Sequence, residues 1–279
     1  MCIRDRPNTA QSECIDADAG YYVDSLGQSA QLACSAGTYQ SSEGQSTCNN
    51  ARAGFYSAGT TTVNGVVTNV ADSDIPCPAG SFSANTGVSS CTDAQTGYFA
   101  SGTITVNGVI VPSTSETACA IGTYQDQTGQ SSCDDADAGY FVSASAASSQ
   151  TPCAAGKYQP LGGQSSCTDV EAGYYSPGTT TLNGVVTNLA NQQIACSTGT
   201  YAAVAGMTSC DVADAGYYVS TTAATGQTAC PAGTYQPATS QSSCLSADAG
   251  YYSLGSQGGL DVVGATGPAT TQVACAAGT

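Results

Sequence analysis

Six pairs of cysteines in this chain are each separated by 14 residues, and that step never varies. The pairs are Cys34 with Cys48, Cys77 with Cys91, Cys119 with Cys133, Cys153 with Cys167, Cys196 with Cys210, and Cys230 with Cys244. Between pairs the gap stretches to 20, 28 or 29 residues, and Cys14 and Cys275 continue the series outside them. A fixed short span alternating with an elastic long one describes a tandem repeat whose units are too small to own a core. The chain has no Cys-x-x-Cys cluster and no histidine, so no zinc ligand set is present. Isolated, regular cysteines point instead to disulfides and to an oxidising compartment.

Spacing alone leaves two neighbour registers open. One closes the 14-residue spans and leaves Cys14 and Cys275 over; the other closes the longer spans. Loop entropy scarcely separates them, because doubling a loop changes the constraint by only about 0.6 kcal/mol. The aromatic residues provide the discriminating pattern. All twenty follow closely behind a glycine in one of two frames, as in Cys34-Ser35-Ala36-Gly37-Thr38-Tyr39 and Ala136-Asp137-Ala138-Gly139-Tyr140-Phe141. Overlaying the frames puts Ala17, Ala136 and Ala213 on the first cysteine. Counting 14 onward then reaches Gln31, Gln150 and Gln227 in place of the second. Cysteines that vanish together are partners, which favours the 14-residue register. The chain thus reads as 17-residue units alternating between a Cys/Cys and an Ala/Gln form, with insertions in some of the latter.

The frame from Cys153-Ala154-Ala155-Gly156-Lys157-Tyr158 through Cys167 resembles the first-disulfide module of tumour-necrosis-factor-receptor cysteine-rich domains. It is more similar still to the ephrin-receptor-like cysteine-rich repeats of large secreted and surface proteins. The likeness runs from Pro7 to the end in six full copies. It implies a bridge from first to last cysteine of each module, the register already favoured. The bridge-free units and the insertions depart from that pattern, and no ligand-binding residue carries over from it.

The expected fold is all-β and disulfide-rich: short two-stranded ribbons in tandem, forming an elongated rod in which each unit touches only its neighbours. Asn64-Gly65, Asn107-Gly108 and Asn183-Gly184, each set among β-branched residues, predict hairpins projecting from the array. The fourth insertion, residues 253–271, is glycine-rich without Asn-Gly and predicts a looser loop. Residues 1–6 fit no unit, hold half of the four basic residues and read as a non-native scar, leaving 7–279 as the array. The array is expected to be truncated at both ends.

A net charge of −16 with four basic residues removes nucleic-acid backbones and anionic lipid as partners. No stretch of 18 apolar residues is present, so this segment is expected to make no direct membrane contact. Without histidine and without an enclosed pair of acids, no catalytic residue, cofactor or metal is assigned, and the segment is not expected to be an enzyme. A calcium reading starts from Asp16-Ala17-Asp18-Ala19-Gly20 and Asp135-Ala136-Asp137-Ala138-Gly139. It weakens because the slot two before glycine is Arg52, Gln95 or Glu171 in other units. Paired aromatics point to opposite faces of an extended strand, so Tyr21, Tyr174, Tyr217 and Tyr251 are candidate binding residues for a protein or glycan. The alternative is that the extra ring covers the region where the bridge is missing. The expectation is a structural or adhesive stalk segment of a secreted or cell-surface protein. A receptor-type ectodomain with one protein ligand and a calcium-rigidified linker are the alternatives.

Overall fold

The dipeptide behind each glycine forms one strand, and the dipeptide behind each closing residue forms its partner. Thus Thr38–Tyr39 pairs antiparallel with Asn49–Asn50, just past Cys48. Tyr140–Phe141 pairs in the same way with Thr151–Pro152, just past Gln150. The computed structural model describes residues 2–3, 15–255 and 268–276, and every regular element among them is a strand of two to four residues. Each strand has a single partner, so every sheet is a two-stranded ribbon. Cys2–Ile3, set aside on sequence grounds, pairs with Ile15–Asp16. Cys14 and most of the fourth insertion, with its expected loose loop, lie outside the described residues.

The three Asn-Gly insertions are hairpins: Thr61–Val63 with Val66–Asn69, Ile104–Val106 with Val109–Val111, and Thr180–Leu182 with Val185–Asn188. Asn64, Asn107 and Asn183 all stand at φ 51°, followed by glycine at positive φ, as a type I′ turn demands.

The described residues fall into two units, Met1–Asp134 with Ala144–Ser149, and Asp135–Ser143 with Gln150–Thr279. Each unit is organised around a narrow column of small side chains. In the first, Ala17, Cys34, Ala51, Cys77, Ala94 and Cys119 are buried; in the second, Ala136, Cys153, Val170, Cys196, Ala213 and Cys230. The first-cysteine slot is therefore interior whether cysteine, alanine or valine fills it. A second interior slot follows the aromatic, as at Val23, Gln40 and Ser57 or Val142, Gln159 and Ser176. Polar occupants of that slot are satisfied: Gln40 Nε2 donates to the Thr47 carbonyl at 2.8 Å, and Ser57 Oγ to that of Thr38 at 2.8 Å.

Backbone hydrogen bonds join module to module. In the first unit Gly20, Gly37 and Gly54 donate to the carbonyls of Gln40, Ser57 and Ser83 in the module that follows, at 2.8, 2.7 and 2.8 Å. In the second, Gly139, Gly156 and Gly173 donate to Gln159, Ser176 and Ala202 at 2.7, 2.8 and 2.8 Å. The expectation that a unit touches only its neighbours is corrected here. A Cβ on Gly37 would lie 2.2 Å from the Gly87 carbonyl oxygen, and one on Gly156 would lie 2.3 Å from that of Gly206. Both oxygens belong to the module after next. Glycine is required at these points because the backbones of second neighbours meet there, and because φ is +88° and +82°.

Candidate interaction surface

Each module is closed near the end of its ribbon by a bridge or by a polar pair. Cys34–Cys48, Cys77–Cys91, Cys119–Cys133, Cys153–Cys167, Cys196–Cys210 and Cys230–Cys244 are disulfides with Cα atoms 5.7–5.8 Å apart. In each the first cysteine is buried and the second half-buried. Cys275 is free and exposed.

The modules without a bridge are closed by a two-pronged polar clamp that the sequence reading missed. Asp18 N–H donates to Gln31 Oε1 at 2.8 Å, and Gln31 Nε2 returns a bond to Asp18 Oδ2 at 2.7 Å. Asp137 with Gln150 and Asp214 with Gln227 repeat this, with every distance 2.6 or 2.7 Å. Asp248 and Gln272 make the same pair. In the other modules the partners change. Gln95 is clamped by Glu116, Glu171 by Gln193 and Arg52 by Asp74. One partner is always an acid, and the other always carries an N–H fork that an acid can accept.

The Arg52 clamp is the ionic version. Arg52 Nε and Nη2 reach the two Asp74 oxygens at 2.9 and 3.0 Å, and the Asp74 side chain is only 5% exposed. Burial works against its charge, but the hydrogen bonds from Arg52 and the guanidinium charge outweigh that and hold the carboxyl below its ordinary range. The hydrogen bond to Asp74 in turn holds Arg52 above its ordinary value. The same guanidinium lies 4.1 Å from the centre of the Phe55 ring.

These clamps also account for the acids behind the calcium reading. Asp18 is engaged by Gln31, whereas the Asp16 carboxylate lies against the next module, 3.1 Å from where a Cβ on Gly44 would stand. The two carboxylates serve different modules. Among the described residues no three cysteine or acidic side chains are grouped as a cation would need.

The candidate aromatics do not form an exposed row. Tyr21, Tyr174 and Tyr217 are half-buried, as are the rings that follow them, and Tyr251 is 46% exposed. Exposed apolar side chains are scattered along the array, Leu26 at 88% and Leu161 at 62% among them, and several stand on the hairpins. Val63, Val66 and Val67 are 56, 66 and 46% exposed, and Leu182, Val185 and Val186 repeat this at 64, 66 and 45%. Val109 and Ile110 at the middle hairpin are 64 and 51% exposed.

A threonine fixes the base of each hairpin. Thr60 N–H donates to the Cys34 carbonyl at 2.8 Å, and its Oγ1 donates to Gly20 at 2.8 Å and accepts from Ala71 N–H at 3.0 Å. One residue, through its backbone N–H and its hydroxyl, thereby ties together three successive modules. Thr103 and Thr179 make the corresponding bonds.

The fold and its closures define a disulfide-rich, all-β tandem-repeat module of the kind built for oxidising surroundings. No protein-family model matches the chain, and no curated protein matches it. Among the described residues no helix is long and apolar enough to cross a membrane.

Proposed function

We propose that this chain is a non-catalytic spacer of the ephrin-receptor-like kind, part of a secreted or surface-attached protein, that holds other parts of that protein apart and presents weak contacts repeatedly. The observation that carries the reading is closure without exception: each described module from Ala17 to Gln272 is shut by a bridge or a clamp. A chain built for one binding or catalytic event concentrates its polar side chains at one place. Here they are spread evenly and are consumed in holding shape. Repeated closure resists unfolding and proteolysis outside the cell, and multiplicity raises avidity without a strong single site.

Scattering and melting together test this. A compact chain of this length has a radius of gyration of roughly 19 Å, and a spacer is expected well above it. Reductant should collapse the array and a calcium chelator should leave its melt unchanged. A radius near the compact value, or a melt that falls with chelator and not with reductant, would refute the spacer.

A further inference from the structure

We infer that the six bridges are polar modification sites: a small thiol from solution adds at the second cysteine of each pair and not at the first. The inference concerns the chemistry of closure and stands whether or not the chain is a spacer. The first cysteine of every pair is 0 or 1% exposed, and the second is half-buried. The backbone shows the same asymmetry. Cys153 N–H donates to the Gly139 carbonyl at 2.9 Å in the module before, and the Cys153 carbonyl accepts from Thr179 N–H at 2.8 Å in the module after. Cys34, Cys77, Cys119 and Cys196 are held on both sides in the same way. No backbone hydrogen bond ties a second cysteine to another module. Each bridge therefore joins a sealed, fixed residue to one at the surface that little else holds.

Thiol exchange runs in line with the S–S bond, from the far side of the sulfur attacked, so access selects the sulfur. Behind Cys153 that side is interior, and the approach from water leads to Cys167. In the step proposed, an external thiolate RS⁻ bonds to Cys167 Sγ and the bond between Cys153 and Cys167 breaks. Its electron pair leaves on Cys153 Sγ, which takes a proton from water. One disulfide replaces another, with no net oxidation or reduction. The buried first slot solvates a thiolate poorly, so Cys153 is a reluctant leaving group. Its backbone bonds also keep it beside Cys167. The Cys153 thiol, on losing its proton again, attacks Cys167 Sγ, expels RS⁻ and restores the bridge. A monothiol thus gives a small, reversible population of caps, all on second cysteines. Full opening needs a second thiol that reaches the cap before Cys153 does.

The test starts from the oxidised chain with its free thiols alkylated. The native chain is held in β-mercaptoethanol, quenched with acid, treated with N-ethylmaleimide and mapped by mass spectrometry without reduction. Mercaptoethanol should be found on Cys48, Cys91, Cys133, Cys167, Cys210 and Cys244, with maleimide on their partners. This arrangement should exceed the reverse one at least about ten-fold. In concentrated guanidinium the two sulfurs of each bridge should be capped in comparable amounts, since access is then equal. Two variants read the same polarity where too few caps are trapped to count. Cys153→Ala leaves Cys167 free, and Cys167→Ala leaves Cys153 free. The first should react at least about ten-fold faster with dithiodipyridine at a temperature below both melts. Alanine already fills the first slot at Ala136, so Cys153→Ala suits the fold. Caps shared equally between the sulfurs of native bridges overturn the inference. So do folded variants whose thiols react alike. Neither result touches the spacer reading, which is decided by the scattering radius.

Discussion

A bridged module and a clamped module close at the same place by different means. Cys153 and Cys167 are joined covalently across 14 residues, whereas Asp137 and Gln150, one module earlier, are joined by two hydrogen bonds. Both keep the same ribbon, the same glycine donating to the next module and the same buried first slot. The difference appears in what each tolerates. Every bridge spans 14 residues, while clamps close over separations of 13, 21, 22 and 24. All three hairpins lie in clamped modules. Covalent closure gives these modules constancy, and polar closure leaves room for insertion.

The largest effect should come from the backbone that both classes share. A Cβ at Gly156, in a bridged module, or at Gly173, in a clamped one, would stand 2.3 Å from a carbonyl oxygen two modules on. Positive φ adds strain to each, so Gly156→Ala and Gly173→Ala should each lose at least about 3 kcal/mol in chemical denaturation. Equal losses support a common backbone frame. A much smaller loss at Gly156 would show that the bridge, and not the frame, holds its module.

Removing a bridge comes next. Cys153→Ala/Cys167→Ala should cost about 3 kcal/mol, read as faster amide exchange in residues 153–169. The converse exchange is somewhat smaller. Ala136→Cys/Gln150→Cys replaces a clamp with a bridge over the same span and should add about 2 kcal/mol once the lost clamp is subtracted. Failure of these two thiols to pair in oxidising buffer would break the equivalence of the two closures.

Loss of a clamp alone is a lesser change. Gln150→Ala leaves the Asp137 N–H and carboxylate to partly accessible water, so about 1 kcal/mol should go, with the bridge at Cys153–Cys167 intact. The smallest effect is the acid response of the ionic clamp. The Asp74 carboxyl is held low in the folded chain, so its stabilisation is present above the unfolded value near 4 and is lost as pH falls through the folded one. The exposed Arg52 side limits this to under about 1 kcal/mol. In Arg52→Gln a carbon-detected NMR titration should find the Asp74 midpoint moved upward, and an unmoved midpoint would remove Arg52 as its cause.

The bridges and hairpins were legible because each is marked by a repeated pattern: a 14-residue step, or Asn-Gly between β-branched residues. The clamps were hidden because no single position is constant. Asp18, Arg52, Gln95 and Glu171 occupy one slot, and their partners Gln31, Asp74, Glu116 and Gln193 occupy the other. Only the pair keeps its meaning, an acid facing an N–H fork. The signal was available, since each partner stands three residues before the next cysteine. Reading the first slot alone made its acids look like a failing calcium loop. Second-neighbour contacts were beyond reach for another reason. They depend on how one module rises over the next, and no local pattern encodes that.

The threonine at each hairpin base makes the insertion a siding and not a stretch of the main line. Thr60 Oγ1 receives Ala71 N–H at 3.0 Å, so the chain departs and rejoins at almost the same point whatever lies between. Lengthening such a branch costs only about 0.6 kcal/mol for each doubling, and the modules on either side keep their spacing. Asn69 Nδ2 donates to the Gly59 carbonyl at the same point, so residues 62–68 can be exchanged for unrelated sequence with Thr60, Asn69 and Ala71 kept as the coupling. An array arranged in this way can change what one hairpin displays without altering how the modules beside it are bonded to one another.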